Sequence, residues 1–160
     1  MRGAIGEDRM SEELERRVEQ IMTESGVFRC VECGKCVVGC PMAKMYASFS
    51  FEISPRGVLK KALLGPDPMK DESIWFCTEC NACTETCPEG VSCRDLTAGL
   101  RKLAVEVGMA GQGLFCEHCG KLFLPSHVMK YLEERLGEVQ WQFLNLCPPC
   151  RRERYVLLNS

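Results

Sequence analysis

Eight cysteines of this chain fall into two copies of one spacing. Cys30, Cys33, Cys36 and Cys40 are followed by Pro41, and Cys77, Cys80, Cys83 and Cys87 by Pro88. Each copy reads C-x2-C-x2-C-x3-C-P, the spacing with which two-cluster ferredoxins hold [4Fe–4S] cubanes. Gaps of two residues let successive thiolates reach neighbouring corners of a cube. Backbone N–H groups of the same loop then face the sulfides and stabilise the negative charge of the reduced state. Gly34 lets the first loop approach closely, Ala82 is the small counterpart in the second, and Pro41 and Pro88 redirect the chain.

In two-cluster proteins the fourth cysteine of a run serves the other cluster. The expected ligands are therefore Cys30, Cys33, Cys36 and Cys87 for cluster one, and Cys77, Cys80, Cys83 and Cys40 for cluster two. Local closure, each run completing its own cluster, is the alternative. The surroundings differ in charge: Lys35, Val37 and Val38 flank the first run, Glu79, Glu85 and Glu89 the second. Negative charge disfavours reduction, so cluster one is expected to have the higher potential.

Two further pairs, Cys116 with Cys119 and Cys147 with Cys150, have the ligand pattern of a zinc ribbon. A segment this small has little core, so a tetrahedral Zn2+ would supply its stability. Rubredoxin-like iron in the same four thiolates is the rival, and a redox disulfide a more distant one. With four cysteines present, His118 is expected to be a solvated side chain and His127 a surface helix residue. Cys93, the thirteenth cysteine, reads as a small buried hydrophobe. Trp75 and Phe76 are expected to shield cluster two from water.

The elements that must position these groups are helical. Residues 1 to about 10 read as disordered. Ser11 to Ser25 has Leu14, Val18, Ile21 and Met22 at helical spacing and is stopped by Gly26. In the 36-residue gap from Pro41 to Phe76, a short helix near Met42 to Ser48 precedes a better-signalled one. Ser54 caps that helix, Pro55 opens it and Gly65 closes it, with Val58, Leu59, Ala62 and Leu63 on its apolar face. Ser92 and Asp95 form a capping-box-like pair for a helix to Val107, whose stripe is Leu96, Leu100, Leu103, Ala104 and Val107. The glycine-rich stretch from Gly108 to Gly113 reads as a hinge. Ser126 starts a helix to Leu136 ended by Gly137, and Val139 to Leu146, with Trp141, reads as a strand or a short helix. Arg151, Arg152 and Arg154 form a basic tail, solvated or in contact with an acidic partner. The expected organisation is thus a disordered start (1–10), a helical two-cluster domain (11–108), a linker (109–113) and a zinc-ribbon-like module (114–160).

Composition excludes several classes. A net charge of −2 gives no reason to expect nucleic acid as a partner. No apolar run approaches the ~20 residues a spanning helix needs. Thirteen cysteines in tight clusters, an odd count and a charged Met1 to Gly26 stretch argue against a secreted disulfide scaffold and for a reducing, cytoplasmic setting.

The stretch from about Ser11 to Gly108 resembles the C subunit of heterodisulfide reductase and the wider α-helical ferredoxin family. The residues that carry the resemblance are the two cysteine runs, Ser54-Pro55-Arg56-Gly57 in the gap, and Arg94-Asp95-Leu96-Thr97-Ala98-Gly99-Leu100-Arg101 after the second run. Related domains occur in the iron–sulfur subunits of succinate dehydrogenase, glycolate oxidase and anaerobic glycerol-3-phosphate dehydrogenase. The C-terminal region resembles the extension on ferredoxin-type subunits of formate hydrogenlyase complexes, through Cys116-x2-Cys119-Gly120-Lys121-x-Phe123 and Cys147-Pro148-x-Cys150-Arg151. The resemblance implies a mainly α protein: an α-helical ferredoxin domain with two cluster loops plus a small zinc-ribbon-like module.

The expected function is an electron-transfer subunit with two [4Fe–4S] clusters and one Zn2+, relaying electrons between partners of a multi-subunit oxidoreductase. Those partners would hold flavin, further clusters or a catalytic metal. No catalytic acid, base or nucleophile of its own is evident. A redox sensor, or a docking protein that uses the ribbon as an assembly handle, is the alternative.

Overall fold

The computed structural model describes residues 4–65, 67–109, 111–136 and 144–158. The architecture is mainly helical. Helix α1 runs from Ala4 to Glu24, so the helix begins before the expected Ser11 and takes in part of the stretch read as disordered; residues 1–3 lie outside the described residues. It stops ahead of Gly26, as expected. Two short turns, α2 (Lys35–Val38) and α3 (Met42–Met45), bracket the end of the first cysteine run. Helix α4 spans Pro55–Leu64, with Ser54 Oγ accepting from the Gly57 N–H at 3.2 Å and Pro55 in the first turn, where its missing N–H costs nothing. Helix α5 (Ala82–Glu85) mirrors α2 within the second run, and α6 spans Cys93–Glu106. Ser92 Oγ accepts from the Asp95 N–H at 3.1 Å, half of the expected capping box. The backbone N–H of Ser92 instead donates to the Ser25 carbonyl.

The core gathers around α6. Leu96, Leu100, Leu103 and Ala104 are almost fully buried. They pack with Val58, Leu59 and Ala62 of α4, with Ile74 and Trp75 of a 3-10 turn over Glu72–Phe76, and with Leu14, Val18 and Ile21 of α1. Helices α1 and α6 approach closely at Gly99, where a β-carbon would fall 2.7 Å from Ile21 Cγ2.

Beyond α6 the chain forms a two-stranded antiparallel hairpin, β1 (Gly113–Phe115) and β2 (Leu122–Pro125), then α7 (Ser126–Leu136) and α8 (Pro148–Leu158). Neither the hairpin nor α8 was expected. The strands are only three and four residues long, too short for a period-two signal. The tail read as solvated is helical through its arginines, opened by Pro148 and Pro149. Gly137 and residues 139–143 of the segment read as a strand, Trp141 included, lie outside the described residues; Leu144 and Leu146 are buried but not in a strand. The stretch read as a hinge packs onto the first domain: a β-carbon on Gly111 would meet the Trp75 ring at 2.7 Å, and the Met109 N–H bonds the Ala104 carbonyl.

Candidate metal centres

The two cysteine runs have nearly the same backbone. Glu32 and Glu79 lie at matching places with φ of 53° and 55°, and Gly34 and Asn81 follow at 77° and 69°. Positive φ at these paired positions curls each loop inward around its thiols. A residue with a β-carbon rarely adopts it, so something must hold the two glutamates. Two arginines do. Arg56 of α4 donates to Glu32 Oε2 at 2.7 Å, and this bond lowers the Glu32 pKa. Arg101 of α6 donates to Glu79 Oε1 at 2.7 Å, to the Cys77 carbonyl at 2.6 Å and to the Ile74 carbonyl at 2.7 Å. It also lies over the Trp75 ring. Sequence reasoning missed both clamps. The signal was present, since each run carries glutamate directly before its second cysteine, but the arginines stand far along the chain.

Two cavities open between the runs. One is walled by Cys30, Cys33, Cys36 and Cys87, with Glu32, Gly34, Arg56, Leu59 and Val91. The other is walled by Cys77, Cys80, Cys83 and Cys40, with Met42, Pro55, Val58 and Arg94. Each thus takes three cysteines from one run and reaches into the other, the first cavity to Cys87 and Cys83 and the second to Cys40. Cys83 and Cys93 reach both cavities and form their shared wall. The second cysteine of each run, Cys33 and Cys80, is exposed, whereas Cys40 and Cys83 are buried.

Backbone N–H groups already point at the sulfurs: Glu79 N–H at Cys77 Sγ and Val91 N–H at Cys87 Sγ, both at 3.4 Å. Hydrogen bonding from the Cys93 thiol lowers the pKa of Cys77 and Cys83, and Cys93 itself is raised well above the ordinary thiol value. Burial pushes Cys40 up to about 11. Cys93 is buried, as expected, in the wall common to both cavities.

An orphaned donor tests whether a charged group fits the first cavity. Arg56 Nε is buried and unpartnered. A buried N–H without an acceptor costs about 1–3 kcal/mol, and a thiolate-ligated cluster would supply the acceptor. The residues present therefore fit such a group.

Trp75 and Phe76 do not line the second cavity. The turn over Glu72–Phe76 aims Trp75 at α6 and Gly111, and Phe76 at Tyr46 and His127. His127 is not a surface residue: it is half-buried and stacks on Phe76 with centroids 4.0 Å apart. Its period-3.6 position gave no hint, because its partner lies in the other half of the chain.

The remaining cysteines converge. The sulfurs of Cys116, Cys119, Cys147 and Cys150 lie within 4.8 Å of one another, with Cys119 and Cys147 at 3.7 Å. Tetrahedral zinc with Zn–S bonds of about 2.3 Å needs thiolates about 3.8 Å apart. Burial opposes ionisation of Cys116, but the N–H groups of Cys147, Cys119 and His118 outweigh it and lower its pKa. His118 Nδ1 stands 3.4 Å from Cys150 Sγ, so it borders the site although its ring is exposed.

A helical fold with two thiol-lined cavities sharing one wall, and a four-cysteine module beside them, defines a dicluster iron–sulfur protein. Residues 7–91 match the 4Fe-4S dicluster domain, and the chain belongs to that family. It is 36% identical over 104 residues to an Archaeoglobus profundus protein named as like the C subunit of heterodisulfide reductase, covering 62% of this chain and 53% of that one. It is 31% identical over 122 residues to the C subunit of the ferredoxin:CoB-CoM heterodisulfide reductase of Methanosarcina acetivorans, covering 71% and 47%. With a probable glycolate oxidase iron–sulfur subunit of Bacillus subtilis it shares 32% identity over 85 residues, 49% of this chain and 19% of that one. The chain spans about half the length of the heterodisulfide reductase relatives it matches. Among the described residues no helix is long and apolar enough to cross a membrane.

Proposed function

We propose that this protein is an electron-relay subunit of a multi-subunit oxidoreductase of the heterodisulfide reductase type. The observation that carries the proposal is the pair of cavities with a common wall at Cys83 and Cys93. Two groups held there stand side by side, each with one exposed cysteine edge, Cys33 or Cys80. The crossed ligand sets, Cys30, Cys33, Cys36 and Cys87 for one cluster and Cys77, Cys80, Cys83 and Cys40 for the other, are supported by the lining of the two cavities. When bound, such clusters exchange single electrons without proton chemistry by the protein. What the chain's own residues do is hold the thiolates, direct N–H dipoles at sulfur and keep water from the shared wall.

The two edges offer different surfaces. Phe28, Val31 and Val38, all well exposed, flank the first run, whereas the second carries Glu85 and Glu89. Distinct neighbours, one apolar-faced and one basic, fit a relay with an entrance and an exit better than a single-partner sensor. The four-cysteine module is proposed to hold Zn2+, and a reducing, cytoplasmic setting suits eight cluster thiolates.

The test is a metal and acid-labile sulfide count on anaerobically purified protein, with the proteins that co-purify identified. About eight iron, eight sulfide and one zinc per chain, together with oxidoreductase subunits, is the expected result. About nine iron without zinc would place rubredoxin-like iron in the C-terminal site. One cubane or none would overturn the relay.

A further inference from the structure

The two arginine clamps are not equivalent. Arg101 spends its donors on protein: Nε on the Ile74 carbonyl, one terminal nitrogen on Glu79 and the other on the Cys77 carbonyl. It does not line the second cavity, where Arg94 stands exposed at the wall. Arg56 is a wall of the first cavity. One of its terminal nitrogens bonds Glu32, and the other lies 3.8 Å from where a β-carbon on Gly34 would stand. The guanidinium therefore lies across the loop that carries Cys33 and Cys36. Its Nε is buried without a partner on the protein.

We infer that Arg56 tunes the first cluster, its Nε–H donating to a cluster sulfur or a ligating thiolate while its charge offsets the negative charge added on reduction. This rests on the proposal that Cys30, Cys33, Cys36 and Cys87 hold that cluster. The inference follows from geometry: Arg56 lines the cavity, Glu32 anchors one terminal nitrogen of the fork, and the buried Nε has no hydrogen-bond partner on the protein. A donor to sulfur and a nearby positive charge both favour the reduced form. Glu32 thus positions the arginine, and the arginine tunes the potential. The sequence expectation that cluster one has the higher potential gains a physical carrier that Lys35, exposed on α2, does not supply.

The experiment is a redox titration of the whole protein followed by electron paramagnetic resonance, with hyperfine spectroscopy after exchange into D2O. Wild type, Arg56→Gln and Arg56→Lys are compared, and Cys33→Ser marks which signal belongs to the first cavity. Arg56→Gln is expected to lower that midpoint about tenfold in the one-electron equilibrium, about 59 mV, and to remove one exchangeable-proton coupling. The other midpoint stays in place. Arg56→Lys, which keeps the charge without the planar fork, is expected to give a smaller drop and lose the same coupling. If Arg56→Gln does not retain its iron, Arg56→Lys decides the matter alone by the same two readouts. An unchanged midpoint at full iron content, a shift only in the other cluster, or a coupling that survives Arg56→Lys overturns the inference. Failure of the two-cluster proposal itself shows earlier and separately, as a wild-type iron count well short of about eight.

Discussion

Glu32 and Glu79 sit in a backbone region that costs a residue with a β-carbon on the order of 1–3 kcal/mol. Arginine holds each of them there, and the burial of that arginine decides what its loss does. Arg101 has a side chain only 3% exposed, whereas Glu79 is 40% exposed. Replacing Arg101 with methionine leaves the Ile74 and Cys77 carbonyls without their donor and lets Glu79 relax toward water. Because Glu79 is already partly solvated, the loss is smaller than for a fully buried pair: about 2–3 kcal/mol. Anaerobic denaturant unfolding followed by cluster absorbance is expected to show this, with one of the two cluster signals lost first and the first-cavity signal preserved. Equal loss of both signals would mean that Arg101 serves the core rather than the second loop. These clamps also mark how far a single sequence reaches. The two cysteine runs and the two further pairs could be read from spacing, because each run or pair is a pattern within a few residues. The arginine partners, 24 and 22 residues from their glutamates, follow only from how α4 and α6 dock on the loops.

Elements with their own end signals were legible, and elements made by packing were not. Ser54 with Pro55 and Ser92 with Asp95 announce α4 and α6 because capping is local chemistry. The β1–β2 hairpin and the seat of α7 depend on contacts across the chain. Helix α7 rests on the turn over Glu72–Phe76 through His127, which stacks on Phe76 and faces Tyr46 edge-on. Glu72 and Lys130 are the charged groups acting on the imidazole, and burial is the largest influence, lowering its pKa below the ordinary value of 6.5. The sign follows from linkage. With the folded pKa depressed, the unfolded chain binds a proton more readily, so the contribution is full above about pH 6.5 and falls as pH drops toward the folded value. Thermal unfolding of the wild type is therefore expected to move to lower temperature between about pH 7 and pH 5.5. His127→Phe keeps the stack without the titration and should show a shallower slope over that interval. Identical slopes would remove His127 from the account.

At the scale of the whole molecule, the C-terminal module is small but not detached. Its own buried cluster is Cys116, Leu146 and Cys147, with Phe123 and Cys150 against it, a core so small that the proposed Zn2+ would supply most of its stability. Structural zinc contributes on the order of 10 kcal/mol in domains of this size. The same module and its linker contact the cluster domain: Gly111 lies against Trp75, Leu122 against the main core, and His127 against Phe76 and Tyr46. Phe76 directly precedes Cys77, so whatever loosens α7 acts on the second cavity before the first. Anaerobic treatment with a zinc chelator is expected to raise hydrogen exchange over residues 113–125 and 144–158 while both clusters remain bound. On exposure to air, the cluster proposed at Cys77, Cys80, Cys83 and Cys40 should then bleach several-fold faster, with the other unchanged. The order is what discriminates. Faster loss of the first cluster, or no change in either, would show that the module stands apart from the electron path, and that its metal serves contacts made elsewhere on its surface.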